Sequence, residues 1–218
     1  DIKIKRLHHF LMNLANRTTK KNNYIDWELS KWFPEYIHNV EKLISELYSF
    51  KYSGFWPGAK GDNSNYNIWF SNYRNKKELG KILGQFIKNN IDQFLIENGK
   101  IHFIEDNTWN ILFASEIKEL ISNAKLIHVI RDPRDVVASF MKQRWCPADI
   151  NQAIKMYKGI ILRWFEIEKK LSNKYFMYIK LEDLITKRED VIKSICDFSK
   201  IPFETTLTNI DLSKSNQG

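Results

Sequence analysis

The chain has 218 residues, 34 of them Lys or Arg against 26 Asp or Glu, for a formal net charge of +8. A composition of 43 % hydrophobic and 28 % charged residues is that of a globular protein and excludes an intrinsically disordered one. No apolar run approaches the ~20 residues of a membrane span, and Asp1 to Arg6 alternate charge without the apolar stretch of a secretory signal. The length predicts a single domain over residues 1–218. The basic surplus favours an anionic partner, whether nucleic acid, a phosphorylated cofactor, an acidic glycan or an anionic membrane surface, without choosing among them. Cys146 and Cys196 stand fifty residues apart, a spacing that suits neither a metal pair nor a disulfide framework. They point to a reducing compartment and no structural zinc, and the lack of a signal points to the cytoplasm.

In chain order, the first quarter is basic and helix-like, with Lys3, Lys5, Arg6, Arg17, Lys20 and Lys21 and the close pair His8-His9 read as a solvated face. Residues 53–67 (SGFWPGAKGDNSNYN) break helix and strand alike. The aromatics in and after that stretch, Phe55, Trp56, Tyr66 and Trp69, predict a folded loop. Lys76 to Asn98 is the clearest helix, because Leu79, Ile82, Leu83, Phe86, Ile87, Ile91, Phe94 and Leu95 recur with helical period. Asn98-Gly99 stops it. Residues 100–105 (KIHFIE) read as a short strand and 110–122 as an amphipathic helix. Residues 125–130 (KLIHVI) read as a second, β-branched strand. Helices follow over 134–142, 150–171 and 188–199, with a third strand over 175–181 (YFMYIKL). Trp145 and Trp164 are read as core. Strands separated by helical crossovers predict an α/β fold with a parallel sheet flanked by helices. Ligands of such sheets sit at the carboxyl ends of the strands.

One carboxyl end carries chemistry. After the second strand comes Arg131-Asp132-Pro133-Arg134-Asp135-Val136-Val137-Ala138-Ser139. Asp132 is a suitable N-cap and Pro133 suits the first helical position. Asp135 favours the positive end of the helix dipole. The chain must therefore turn sharply from strand to helix, and free N–H groups at that helix start attract an anion. Arg131 offers a guanidinium fork to a phosphate. Ser139 lies seven residues after Asp132, on the same face two turns on. The two side chains can hold one phosphate between them.

The stretch IHVIRDPRDVVASF resembles the 3′-phosphate-binding motif of the sulfotransferases that use 3′-phosphoadenylyl sulfate (PAPS) as sulfuryl donor. The resemblance assigns 3′-phosphate binding to Arg131 and Ser139. Glu105-Asp106-Asn107-Thr108 occupies the place of the family's Glu-Lys-Thr-Pro. Lys180-Leu181-Glu182-Asp183-Leu184 is similar to its Tyr-Glu-Asp-Leu, with Leu181 in place of the usual Tyr, and Ile201-Pro202-Phe203 is similar to its closing Pro-Phe pattern. The likeness spans roughly residues 100–204. It implies a P-loop-NTPase-like sulfotransferase fold, and transfer of a sulfuryl group from PAPS to a hydroxyl or amine of a glycan, protein or small-molecule acceptor. It implies no metal, no nucleic acid and no membrane span.

The family's 5′-phosphosulfate loop, similar to Pro-Lys/Arg-Ser-Gly-Thr-Thr-Trp, does not occur in the sequence. The stretch from Gly54 to Gly61 with Lys60 lacks the spacing of a phosphate loop. The expectation is that the first strand and its loop lie outside these residues, the fold being incomplete at the N-terminus. No motif fixes a catalytic base: His102 and Glu105 read equally well as an ordinary strand end. Another phosphate-loop transferase or kinase, or a basic nucleic-acid-binding module, are the alternative readings.

Overall fold

The computed structural model describes residues 2–15, 27–53 and 67–209. Its helices are α1 (Ile2–Ala15), α2 (Leu29–Trp32), α3 (Tyr36–Leu47), α4 (Lys76–Glu97), α5 (Ala114–Leu120), α6 (Pro133–Phe140), α7 (Ile150–Glu168), α8 (Leu181–Thr186) and α9 (Arg188–Ser199). Its strands are β1 (Tyr48–Ser53), β2 (Asn67–Ser71), β3 (Leu126–Ile130) and β4 (Phe176–Lys180). The chain forms two compact units, Asp1–Asp106 with Glu119–Ile121, and Asn107–Lys118 with Ser122–Gly218.

In the first unit, α3 presents Tyr36, Val40, Leu43, Ile44 and Leu47 on one face, and all are buried. Ile4, Leu11 and Ala15 of α1 complete this core, and Leu79, Ile82, Leu83 and Phe86 of α4 pack against it. Each such aliphatic side chain contributes ~1.5–3 kcal/mol on burial, more than helix propensity alone supplies. Two polar groups are buried here with partners: Asn39 Nδ2 donates to Asn90 Oδ1 (3.1 Å), and the Tyr36 hydroxyl donates to the Leu11 carbonyl (3.2 Å). Burial pushes the Tyr36 hydroxyl up to about 12. The periodicity of α4 is confirmed: Asn75 caps its start by accepting from Glu78 N (3.0 Å), and Gly99 takes the left-handed conformation (φ 58°) past its end. His8 is not simply solvated, since its Nε2 meets Glu41 Oε1 at 2.9 Å.

The loop read over 53–67 coincides with the connection of a β-hairpin. β1 pairs antiparallel with β2, Ser53 opposite Asn67. Neither strand was expected. The loop interior, with Phe55, Trp56, Lys60 and Tyr66, lies outside the described residues, as do Arg17, Lys20, Lys21 and the stretch 213–218.

One expected strand does not form. Residues 102–107 have no regular secondary structure, and Ile101 and Ile104 are 83 % and 84 % exposed. Alternating apolar residues make a strand only when a neighbouring ladder accepts their N–H and C=O groups, and among the described residues no strand pairs with this segment.

In the second unit β3 and β4 run parallel, in register from Leu126 opposite Phe176 to Ile130 opposite Lys180. Helices α6 and α7 form the crossover between them, so the architecture is mixed α/β with a small parallel sheet flanked by helices. Trp164 of α7 is fully buried, its ring edge-on to Phe176 (5.6 Å) and near His128 (5.0 Å). Ala114, Ile167 and Tyr175 complete this core, and the Tyr175 hydroxyl donates to the Ala114 carbonyl (3.2 Å). The helix expected over 110–122 begins instead as a 3-10 turn, Thr108–Phe113, with Asn107 accepting from Trp109 N (2.9 Å), and becomes α5 only at Ala114. Trp145, read as core beside Trp164, is 46 % exposed.

His128 gives this unit a pH dependence. Its Nδ1 is buried without a hydrogen-bond partner. Burial lowers its pKa below 6.5, with the Glu168 charge pulling the other way. The unfolded chain therefore takes up a proton at pH values where the folded one resists it, and stability falls as pH drops through 6.5. Urea midpoints at pH 8, 6 and 5 should decline for the wild type and decline less for His128→Phe. Equal declines in the two would mean that His128 is free to charge in the folded state.

Candidate functional site

The segment after β3 folds as its residues dictate. Asp132 caps α6, its Oδ1 accepting from Arg134 N at 2.8 Å, and Pro133 opens the helix. The Arg134 guanidinium closes on the same carboxylate, with Nη2 to Oδ2 at 2.6 Å. These two bonds from Arg134, side chain first, hold the Asp132 carboxyl down to about 2, and Asp132 in turn raises Arg134. The partner strand contributes too: Glu182, just past the end of β4, accepts from Asp132 N at 3.1 Å. A carboxylate from one strand end thus ties down the backbone of the other.

This arrangement differs from the expectation that free helix-start amides attract an anion. Two of the N–H groups at that start, those of Asp132 and Arg134, are already taken by the Glu182 and Asp132 carboxylates. Fewer backbone N–H groups than expected are therefore left at this edge for an anion.

Arg131 and Ser139 are the side chains that the sequence singles out here. Arg131 leaves the end of β3 with its side chain 42 % exposed. Its Nε and Nη2 both reach a single oxygen, Asp135 Oδ2, at 3.3 and 3.2 Å. Both bonds are long, and an exposed pair of this kind holds the guanidinium with at most ~1 kcal/mol. Ser139 is exposed, one turn beyond Asp135 on the same face of α6, and its hydroxyl makes no hydrogen bond among the described residues. The Arg131 guanidinium thus rests on Asp135, the residue one helical turn before Ser139, and is partly open to solvent. Tyr157 of α7 borders the site and went unnoticed in the sequence. Burial raises its pKa, and the Asp132 charge adds to the rise.

His102 and Glu105 sit in the irregular segment and are assigned no role. Among the described residues no group of His, Cys, Asp and Glu forms a metal site, and no helix is long and apolar enough to cross a membrane.

A model of the sulfotransferase family matches residues 10–205. The chain belongs to that family. No curated protein matches it. Among solved structures it is similar to the sulfotransferase domain from the curacin biosynthetic pathway, with 19 % sequence identity and a TM-score of 0.46. The match covers 90 % of this chain and 65 % of that one, so the chain spans about two thirds of that domain's length.

Proposed function

We propose that the chain binds the nucleotide end of PAPS and serves transfer of its sulfuryl group to a hydroxyl or amine acceptor. The observation that carries this reading is the strand–turn–helix at the end of β3, which leaves Arg131 and Ser139 open on one side of α6. Family membership supports it. A 3′-phosphate between the two groups would take a bidentate guanidinium contact from one side and a hydroxyl contact from the other. In the transfer a bond forms between the acceptor oxygen or nitrogen and sulfur while the bridging S–O bond breaks. The electron pair of that bond leaves with the 5′-phosphate, and the acceptor loses its proton. Such a transition state is loose, so positioning and cationic stabilisation of the leaving group supply most of the catalysis. The contribution of Arg131 and Ser139 is positioning: they fix one end of the donor. The single-domain organisation of residues 1–218, and a reducing, cytoplasmic setting for the free thiols of Cys146 and Cys196, belong to the same proposal.

Calorimetric titration with adenosine 3′,5′-bisphosphate and with ATP tests the donor class. Binding of the bisphosphate in clear preference to ATP is expected. Preference for ATP would replace this reading with a kinase-type one.

A further inference from the structure

Four aromatic rings drawn from separate parts of the second unit form a row. The 3-10 turn capped by Asn107 carries Trp109, whose ring meets Trp145 edge-to-face at 5.4 Å. Trp145 meets Phe140 at 4.9 Å, and Phe140 meets Tyr157 at 6.2 Å. Phe140 follows Ser139 in α6, so the row includes a residue of the helix that carries the proposed phosphate contact. Its far end is open: Trp109 and Trp145 are 38 % and 46 % exposed, unlike the fully buried Trp164. Two indoles left partly in water, packed on each other, are an interaction surface more than a core. Their setting is cationic. Lys142 and Arg144 precede Trp145 by three residues and one, both are exposed, and neither side chain makes a hydrogen bond or ion pair among the described residues.

Exposed indole faces suit the flat, C–H-bearing face of a pyranose ring, and unpaired cations beside them suit a carboxylate or sulfate on that ring. We infer that Trp109 and Trp145, with Lys142 and Arg144, form a binding platform for an acidic glycan. Its role as the acceptor platform rests on the sulfotransfer reading above. Trp109 and Trp145 supply stacking area, and the two cations select a charged sugar over a neutral one.

Calorimetry on the full chain tests this with a heparin-derived tetrasaccharide, neutral maltotetraose and adenosine 3′,5′-bisphosphate. The acidic tetrasaccharide should bind and maltotetraose should bind far more weakly. Trp145→Ala should weaken the tetrasaccharide about tenfold or more, the usual consequence of truncating a central aromatic anchor. The paired change Lys142→Ala with Arg144→Ala removes only exposed, unpartnered groups. It should weaken the same ligand and flatten its salt dependence while leaving the circular dichroism spectrum unchanged. Neither change should alter affinity for the bisphosphate. Tetrasaccharide affinity indifferent to both changes, or maltotetraose binding as tightly, overturns the platform. So does a loss of bisphosphate affinity in Trp145→Ala, which would make the indoles a nucleobase seat. Should the wild type bind the tetrasaccharide through Trp145 yet ignore the bisphosphate, the platform stands and the donor assignment fails.

Discussion

Arg131→Ala is expected to weaken adenosine 3′,5′-bisphosphate binding by about 1.5–3 kcal/mol, on the order of tenfold to a hundredfold, with little change in thermal stability. The two halves of that expectation have different sources. The loss of affinity follows from removing a charged donor of fixed geometry from a dianionic phosphate. The unchanged stability follows from what Arg131 does in the free protein, which is to make two long contacts to Asp135 Oδ2 in solvent. Arg131→Lys keeps the charge and loses the fork, so it should recover only part of the affinity. Asp135→Asn should bind at least as well as the wild type, because it removes the carboxylate that competes for the guanidinium. Ser139→Ala should cost less than Arg131→Ala. If one phosphate bridges both groups, the double variant should lose less than the sum of the singles. Strict additivity would mean that Arg131 and Ser139 act on different parts of the ligand, and an unaffected Arg131→Ala would remove the donor site from this edge.

The parts of this site that were legible are those whose physics is local. Asp132-Pro133 at a helix start is a statement about backbone N–H groups within two residues, and the structure has that cap. The helical period of α4 likewise survives because one face of it meets a core. Non-local facts were not legible. Glu182 occupying the Asp132 N–H depends on two strand ends fifty residues apart lying side by side. Whether an alternating segment becomes a strand depends on a partner: LIHVI pairs with β4, while the similar IHFIE stays irregular with its isoleucines in water. The hairpin was missed for the opposite reason. Phe50 and Phe70 pair across it at 5.7 Å while both remain exposed, so this cross-strand pair adds no buried position to an alternating pattern. Trp145 and Trp164 illustrate the same limit, since residue type alone does not separate an indole that fills a core from one that lines a surface.

Trp164→Ala is the change expected to cost most stability, about 3–5 kcal/mol, a large share of the ~5–15 kcal/mol that holds a typical domain together. Trp164 is fully buried, and its ring lies within 5.0 to 6.2 Å of His128, Phe176 and Tyr178. It therefore spans β3 and β4 from α7. Its Nε1 also donates to the Tyr178 hydroxyl at 2.6 Å. Burial first, and a hydrogen bond with Glu168 second, push that hydroxyl up to about 12, so it stays protonated at neutral pH. Truncation opens a cavity and removes the Tyr178 contact together, whereas Trp164→Phe keeps most of the ring volume and loses only the donor. The Phe variant should accordingly lie between wild type and Ala in urea midpoint. Function should follow stability here only indirectly. The register that sets Ile130 opposite Lys180 also sets Asp132 N against Glu182, and so fixes where Arg131 leaves the sheet. Bisphosphate affinity measured well below the melting transition should therefore fall in Trp164→Ala and hold in Trp164→Phe. An Ala variant that melts with the wild type would show that α7 does not clamp this sheet, and the geometric basis for the Arg131–Ser139 pair would go with it.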